Sequence, residues 1–151
     1  MIPRPLHRLA LRIAQPIRKQ VWRIVKPRLR SVSIIGCDTR GHMLMIRLSY
    51  GSGEWQFPGG GIGRGEEPDV AARRELAEEA GCRIDGLKKI ARFEENVWGA
   101  RCDTWLFAGN LLTSPEPDRR EVLEARMFPV HSLPEPMSER ARKRLEMWKG
   151  T

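Results

Sequence analysis

The sequence predicts an α/β fold in which two helices pack on either side of a mixed β-sheet, an α/β/α sandwich, preceded by a basic helical extension. Three observations carry this prediction. Short apolar runs typical of buried strands recur after residue 31. One glycine-free segment has the composition and end signals of a helix. All of the net positive charge lies in the first 30 of the 151 residues.

The basic extension and the globular domain are predicted at residues 1–30 and 31–151. The extension contains nine Lys or Arg and neither Asp nor Glu, so it carries +9, whereas the remainder carries −1. Apolar residues of the extension recur every three or four positions, as in an amphipathic helix, and Pro16 interrupts this pattern. We therefore expect two short helices there.

Several uses are compatible with such an extension. We expect first that it docks on the globular domain or on a second copy of the chain, which would give a homodimer. Attraction to the phosphates of a nucleic acid or to an anionic membrane surface ranks second. A targeting role ranks third, because the segment is arginine-rich, acid-free and amphipathic but is not enriched in serine.

The first two strands are predicted at Val32 to Cys37 and at Met43 to Leu48, where apolar residues follow one another almost without interruption. A glycine-rich segment, FPGGGIGRGEE, comes after them. It is too rich in glycine for an ordinary connection between a strand and a helix. We expect a loop that brings exposed backbone carbonyls close to the helix that follows.

The first helix is predicted from Pro68 to Ala80, which is rich in Ala, Leu, Glu and Arg. Pro68 suits the first helical position, and Gly81 can adopt the left-handed conformation just beyond the end. At about 100° per residue, one arc of this helix is acidic and the opposite arc is apolar. The acidic arc holds Glu75, Glu78 and Glu79, and the predicted core arc holds Val70, Leu76, Ala77 and Ala80.

Three further strands and a second helix complete the prediction. The strands are Leu87 to Val97, Thr104 to Leu111 and Val122 to Pro129, and the helix runs from about Ser138 to Trp148 with Ser138 as its N-cap. The proline-rich segment from Leu112 to Arg120 is predicted as either a substrate lid or an ordinary surface connection.

The acidic arc indicates a divalent metal site. Glutamates at spacings of three and four residues repel one another, so a cation should offset their charge. Carboxylate and carbonyl oxygens are ligands suited to Mg²⁺ or Mn²⁺. The three histidines are scattered and indicate no zinc site. The alternative is that Glu78 and Glu79 are solvated charges paired with neighbouring arginines.

The segment from Gly60 to Cys82, GGIGRGEEPDVAARRELAEEAGC, resembles the Nudix box, G-x5-E-x7-R-E-U-x-E-E-x-G-U, in which U is apolar. The residues at the fixed positions are Gly60, Glu66, Arg74, Glu75, Leu76, Glu78, Glu79, Gly81 and Cys82. Cysteine is an unusual choice at the last position, but it is small and buries readily. The preceding WQFPGG is similar to the segment that leads into this box, and the resemblance covers roughly Ser31 to Trp148.

Resemblance to the Nudix family implies a Nudix-type α/β/α sandwich. It also implies a hydrolase that cleaves a phosphoanhydride bond in a nucleoside diphosphate linked to another group, with Mg²⁺ or Mn²⁺ as cofactor. By this resemblance Glu78 and Glu79 are metal ligands, and Glu75 is a further ligand or the base for the attacking water. The backbone carbonyl of Gly59 is an additional metal ligand.

The resemblance implies supporting residues as well. Arg74 and Glu66 are expected to pair and to brace the loop that begins at Gly60 against the helix. A downstream glutamate is expected to complete the metal site or to act as the base; we predict Glu121, with Glu124 as the alternative. For both, the other interpretation is a solvent-facing position in a strand.

The substrate is expected to be a nucleoside diphosphate-linked small molecule. The protein is expected to be cytoplasmic, because its three cysteines have no disulfide or metal spacing and would stay reduced there. Nucleotide sugars, dinucleoside polyphosphates, oxidised nucleotides and RNA ends all stay open as substrates. Two alternative functions are an RNA 5′-end pyrophosphohydrolase that uses the basic extension, and a non-catalytic nucleotide-binding module of the same fold.

Overall fold

The computed structural model describes residues 28–117 and 122–151. Along the chain the elements are β1 (Arg28–Cys37), β2 (His42–Leu48), β3 (Trp55–Gln56), β4 (Gly59–Gly61), α1 (Pro68–Ala80), β5 (Ile84–Val97), β6 (Ala100–Leu111), β7 (Val122–Pro129) and α2 (Glu139–Lys149). The helices predicted within residues 1–30 fall almost entirely outside the described residues, and so does Glu121.

Within the described ranges, seven strands form one mixed sheet with the order β3-β2-β1-β6-β5, in which β4 pairs with β1 and β7 pairs with β2. Strand β1 runs parallel to β6 along its whole length, from Arg28 opposite Arg101 to Cys37 opposite Asn110. Strands β5 and β6 form a long antiparallel hairpin. The predicted mixed sheet with flanking helices is therefore confirmed.

The sheet divides into two halves where β1 and β2 separate. These strands are paired at Cys37 and Met43 and then diverge. Beyond that point β4 lies along β1, with Ser31 opposite Gly61 and Ser33 opposite Gly59, while β2 pairs with β3 and β7. The divergence opens a cleft beside a strand that consists of glycine.

Apolar side chains on both faces of the sheet form two cores. Ile34 and Phe107 pack under α1, and Ile35 and Leu106 pack under α2. Successive residues of one strand point to opposite faces, so neighbouring residues supply different cores. Burial of each such side chain stabilises the fold by about 1.5–3 kcal/mol. This burial holds one helix on each face of the sheet.

The ends of both helices follow the predicted signals. Helix α1 begins at Pro68 and ends before Gly81, which has a φ of 65° and donates its N–H to the carbonyl of Ala77. The Oγ of Ser138 accepts a hydrogen bond of 3.1 Å from the N–H of Ala141 at the start of α2. In the described part of the chain, neither helix has the length and apolarity needed to cross a bilayer.

The glycine-rich segment differs from its prediction, because it contains the strand β4 rather than only a loop, and β3 lies just before it. A Cβ atom at Gly59 would overlap the carbonyl oxygen of Val32, so glycine is needed for β4 to approach β1. Intrinsic strand preference disfavours glycine and hides this strand in the sequence. Pairing across the sheet also extends β1, which begins at Arg28 rather than Val32, and lengthens β5 and β6 at their starts.

Candidate active site

The backbone of β4 is used on both of its edges. On one edge it pairs with β1: the N–H of Ile34 donates to the carbonyl of Pro58, and the N–H of Ile62 donates to the carbonyl of Arg30, each at 2.9 Å. Backbone groups of an antiparallel strand alternate in direction from one residue to the next. The N–H and C=O of Gly59 therefore point away from β1, toward α1.

Helix α1 uses these outward groups of β4. The N–H of Gly59 donates to Oε2 of Glu79 at 3.0 Å, and the carbonyl of Gly61 accepts from Nη2 of Arg74 at 2.9 Å. Because the N–H and C=O of one strand residue point the same way, the carbonyl of Gly59 lies on the same edge as Glu79. The resemblance to the Nudix family implies that this carbonyl is a metal ligand, and it lies on the same side as the carboxylate of Glu79.

Glu75 lies directly against Gly60. A Cβ atom at Gly60 would overlap the carboxylate of Glu75, and the Glu75 side chain is only 14% exposed. Glycine at this position is what admits a carboxylate against the backbone of β4. Glu75 and Glu79 thus meet adjacent residues of one short strand.

The structure corrects the predicted faces of α1. The buried residues of this helix are Ala71, Ala72, Leu76 and Ala80. Val70 is 51% exposed and Ala77 is exposed, so the prediction of these two as core residues was wrong. At about 100° per residue, Glu75 and Glu79 instead fall within the arc of the buried residues, between Ala71 and Ala72, and face β4. The reason is that β4 carries no side chains, which leaves room for carboxylates where an ordinary strand would pack apolar groups.

Arg74 is the cation that offsets the acidic residues. Its Nε and Nη2 donate to the two carboxylate oxygens of Glu66, each at 2.9 Å. Its Nη1 donates to Glu75 at 3.0 Å and to Glu78 at 3.4 Å. One guanidinium therefore joins the loop before α1 to both glutamates, and the contact expected between Arg74 and Glu66 is present.

The Arg74–Glu66 pair is strongly ionised. Hydrogen bonds from Arg74, together with one of 2.9 Å from the N–H of Gly63, lower the pKa of Glu66 to about 2. The hydrogen bond to Glu66 in turn raises the pKa of Arg74. A charge-assisted bidentate contact of this kind fixes the geometry of both side chains.

The oxygen donors beside β4 fit a hard divalent cation in their chemistry. Three carboxylates and an outward backbone carbonyl are ligands of the type that Mg²⁺ and Mn²⁺ take. Among the described residues, however, no three acidic, histidine or cysteine side chains are grouped as a ready-made cluster. Glu79 is engaged with the backbone of Gly59, and the 60% exposed side chain of Glu78 is turned toward Arg74.

The structure pairs Glu124 with arginines rather than with the acidic residues of α1. Glu124 lies on β7 and forms ion pairs with Arg47 of β2 and, at 3.6 Å, with Arg126. The guanidinium of Arg47 lies 5.5 Å from the ring centre of Trp55. Glu124 therefore belongs to a charged cluster on the β2–β7 half of the sheet.

A cavity of about 810 Å³ occupies the cleft. Its lining includes Glu79 and the backbone of Gly59–Gly61, and also polar side chains of β1, β5 and α2, among them Ser31, Glu95 and Arg144. Ligand pockets for nucleotide-sized molecules commonly have volumes of roughly 300–1,000 Å³. The cavity thus joins Glu79 of α1 to a second polar cluster.

This second cluster centres on a buried ion pair that the sequence analysis missed. Arg144 is 7% exposed and donates from Nη2 to Oε1 of Glu95 at 2.7 Å. Burial favours a higher pKa for Glu95, but the hydrogen bonds and charge of Arg144 and the hydroxyl of Thr104 outweigh it, so the pKa is lowered. An acid in a strand and an arginine in a helix, 49 residues apart, give no local signal of this contact.

The described part of the predicted lid, residues 112–117, is bound to the end of α1. The N–H of Glu116 donates to the carbonyl of Ala80 at 2.6 Å, and the N–H of Arg83 donates to Oγ1 of Thr113 at 3.0 Å. Residues 112–117 do not line the cavity. Nearby, burial raises the pKa of the Cys82 thiol, which keeps it protonated.

Comparison with known sequences extends the resemblance over most of the chain. The family model of the NUDIX domain matches residues 27–148. The RNA pyrophosphohydrolase of Pectobacterium atrosepticum is 43% identical over 61 residues, which cover 40% of this chain and 34% of that protein. The RNA pyrophosphohydrolase of Actinobacillus succinogenes is 47% identical over 68 residues, covering 45% and 33%. The matched segments span about a third of the length of these curated relatives.

Comparison with solved structures gives the same fold. The MutT NUDIX hydrolase from Burkholderia pseudomallei has a TM-score of 0.72 at 19% identity, covering 80% of this chain and 98% of that chain. The NUDIX domain of Shewanella oneidensis NrtR, complexed with ADP ribose, has a TM-score of 0.70 at 16% identity, covering 83% and 88%. With every fixed position of the box filled and the family model matched over residues 27–148, this chain belongs to the Nudix family.

Proposed function

We propose that this chain is a divalent-metal-dependent hydrolase that cleaves a phosphoanhydride bond in a nucleoside diphosphate derivative. The observation that carries the proposal is the meeting of Glu75 and Glu79 with the glycines of β4, because Glu79 and these glycines line a nucleotide-sized cavity. Water attacks one phosphorus, the bond to the bridging oxygen breaks, and two phosphate-containing products leave. This reaction needs no covalent enzyme intermediate.

The proposed roles follow from where each residue lies. Glu75, Glu78, Glu79 and the carbonyl of Gly59 would hold Mg²⁺ or Mn²⁺, which polarises phosphate oxygens and lowers the pKa of bound water. Glu78 is the exposed member, and it can exchange its 3.4 Å contact with Arg74 for a cation. Glu75 is either a further ligand or the base that receives the proton of the attacking water.

Other residues support the site rather than take part in the chemistry. The N–H of Gly59 orients the carboxylate of Glu79. The Arg74–Glu66 pair fixes the loop before α1 and neutralises part of the acidic charge. Glu121 stays the proposed downstream glutamate, whereas Glu124 is committed to Arg47 and Arg126.

A second candidate function is removal of pyrophosphate from the 5′ end of an RNA. Two observations favour it: the matched segments of the curated relatives belong to RNA pyrophosphohydrolases, and Arg28, Arg30 and Arg64 line the cavity. Cationic side chains at a cavity attract the phosphates of a polynucleotide. The non-catalytic alternative is disfavoured because all three box glutamates are present.

The test is hydrolysis across nucleotide sugars, nucleoside triphosphates, dinucleoside polyphosphates and 5′-triphosphate RNA, each with Mg²⁺, with Mn²⁺ and with a chelator. We expect turnover of at least one class, and only with metal. Preference for the RNA would select the second candidate function. Folded protein that hydrolyses none of these classes with either metal would support the binding module instead.

A further inference from the structure

A continuous chain of hydrogen bonds runs through the wall of the cavity formed by β1, β5 and β6. Oε1 of Glu95 accepts a hydrogen bond of 2.9 Å from the hydroxyl of Thr104, in addition to the one from Arg144. The hydroxyl of Thr104 lies 2.9 Å from that of Ser31. The thiol of Cys102 donates to Ser31 at 3.2 Å. We refer to these five side chains as the Ser31–Glu95 chain.

The directions of the two hydroxyl hydrogen bonds in this chain are fixed by its acidic end. Glu95 is ionised beside Arg144, and a carboxylate can only accept hydrogen bonds. The single hydroxyl hydrogen of Thr104 must therefore go to Glu95. Thr104 then accepts from Ser31, so the hydroxyl hydrogen of Ser31 is committed to Thr104.

This direction determines what the wall offers to a ligand. Ser31 and Glu95 line the cavity, whereas Thr104 is fully buried and does not. Because one lone pair of Ser31 accepts from Cys102, Ser31 presents its remaining lone pair rather than a hydrogen, and Glu95 presents a carboxylate. The side of the wall formed by these two residues therefore suits a ligand group that donates hydrogen bonds.

The distance between Ser31 and the backbone that binds Glu79 is short enough for one nucleotide to span. Ser31 is opposite Gly61 and Ser33 is opposite Gly59 in the pairing of β1 with β4. From strand spacing and rise, the Cα atoms of Ser31 and Gly59 are roughly 8 Å apart. Glu79 binds the backbone of Gly59, so a ligand with its phosphates near Glu79 is long enough for its nucleoside to reach Ser31.

We propose that the Ser31–Glu95 chain selects substrates whose nucleobase carries an amino group. Ser31 and Glu95 accept hydrogen bonds from that group, and Thr104 is a positioning residue that acts through Ser31. The inference rests on the proposed function in taking the ligand to be a nucleoside diphosphate derivative.

The experiment compares the binding of nucleoside diphosphates whose bases differ in one amino group. The pairs are guanosine with inosine, adenosine with purine riboside, and cytidine with its 4-deamino analogue, each measured by calorimetry in the presence of a chelator so that hydrolysis does not contribute. In at least one pair we expect the amino-bearing nucleotide to bind about threefold to tenfold more tightly, the effect of one hydrogen bond. Equal affinities in all three pairs, or no binding of any nucleotide, would overturn the proposal.

Four variants separate the proposed role from a merely structural one. Ser31→Ala should reduce the preference by about twofold or more, because one of the two acceptors is lost. Thr104→Val should reduce or invert the preference, because Ser31 can then donate, and Thr104→Ser should retain it. The control is Ser33→Ala, since Ser33 also lines the cavity but has no place in the chain; it should leave the preference intact.

Unfolding midpoints show whether each variant is folded. If Thr104→Val does not fold, the preferences measured for Ser31→Ala and Thr104→Ser test the proposal instead. A preference that is unchanged in Ser31→Ala would contradict it. Hydrolysis is measured separately with metal. If the protein prefers amino-bearing nucleotides in binding but hydrolyses nothing, the proposed function is rejected and this inference stands. If it hydrolyses nucleotides but neither binding nor turnover depends on the amino group, this inference is rejected and the proposed function stands.

Discussion

Arg74 lies at the centre of the acidic residues of the box and touches Glu66, Glu75 and Glu78 with one guanidinium. Three glutamates on one helical arc would otherwise repel one another. The arginine therefore lets the protein fold with its acidic residues in place before any cation binds. At the scale of single residues, the charge of Arg74 stabilises the acidic residues in the folded protein, and the proposed chemistry uses the same residues.

Glu78→Gln keeps the shape of the side chain and removes one charged oxygen ligand. We expect the rate of hydrolysis to fall by about a hundredfold or more, because a metal ligand contributes several kcal/mol to the transition state. The free energy of unfolding should change by no more than about 0.5 kcal/mol, since the side chain is exposed. Steady-state kinetics and denaturation curves measure both.

The matched control for this substitution is Asp69→Asn, which removes a carboxylate of the same helix that pairs with Arg73 at 3.2 Å. Its rate should stay within about twofold of the unmodified protein, the effect of a small surface change. A Glu78→Gln variant as active as Asp69→Asn would remove Glu78 from the proposed ligand set.

Glu66 predicts a specific dependence of stability on pH. Its pKa is lowered to about 2 from an ordinary value of 4.5, so its favourable contribution is complete above pH 4.5 and is lost as the pH falls toward 2. Glu66→Gln should abolish this part of the acid sensitivity. Denaturation curves between pH 2 and 6 measure the difference between the two proteins, which should narrow only below about pH 4.5.

At the scale of elements, β4 is a strand whose function depends on having no side chains. Its glycines pair with β1 on one edge and present the backbone to Glu79 and Arg74 on the other. The helix that bears the glutamates can therefore lie against the strand with carboxylates pointing inward. Strand and helix position each other, and neither alone defines the site.

Gly60→Ala tests this arrangement, since the added methyl group would displace the carboxylate of Glu75. The displaced group is the end of a flexible side chain, so we expect activity to fall by about tenfold or more while the protein stays folded. Gly61→Ala is the matched control, because a Cβ there meets nothing within 4 Å. Equal activity of the two variants would show that the position of Glu75 does not matter for turnover.

Gly59→Ala should behave differently from both, because its Cβ would overlap a backbone carbonyl of β1. The strand must then move, and overpacking of this kind typically costs about 1–3 kcal/mol. Thermal or chemical unfolding measures this loss. Stability equal to that of Gly61→Ala would mean that β4 and β1 are less closely paired than the structure shows.

At the scale of the whole molecule, the divergence of β1 from β2 is the feature that makes a site. It separates two halves of one sheet, admits β4 between them and leaves the cavity that connects Glu79 with the Ser31–Glu95 chain. Five arginines line this cavity, and two of them, Arg28 and Arg30, belong to the basic segment of residues 1–30. The proposed role in RNA processing depends on this continuity.

The second candidate function makes a prediction at this scale. Removing residues 1–27 deletes seven Lys or Arg, so the logarithm of RNA affinity should fall less steeply with the logarithm of salt concentration. The slope should become shallower by about 0.7 for each RNA phosphate that the shortened protein leaves unneutralised. Titration of a labelled 5′-triphosphate RNA at several salt concentrations measures it.

Sedimentation of the full and shortened chains complements this measurement. If the salt dependence of RNA affinity does not change on shortening, the extension does not contact the RNA. A loss of dimer on shortening would then favour the homodimer interpretation. Both experiments use the full chain as the reference.

The sequence alone determined the features that depend on local chemistry. It predicted α1 from Pro68 to Ala80, the Ser138 cap of α2 and the box residues, because capping, helix preference and motif spacing act over a few neighbouring residues. The main strands and the mixed α/β/α arrangement also followed from apolar runs. The resemblance added the family and the identity of the acidic residues.

Only the tertiary structure decided how these parts meet. The strand character of β4, the inward direction of Glu75 and Glu79, the exposure of Val70 and the buried pair of Glu95 with Arg144 all depend on contacts between residues far apart in the chain. Glycines such as those of β4 predict a loop when only their neighbours in sequence are considered, and pairing with β1 makes them a strand. A charged residue such as Arg144 predicts a surface position, and its ion pair with Glu95 allows it to be buried. Local preference therefore determined the helices, and the packing of distant segments decided the site.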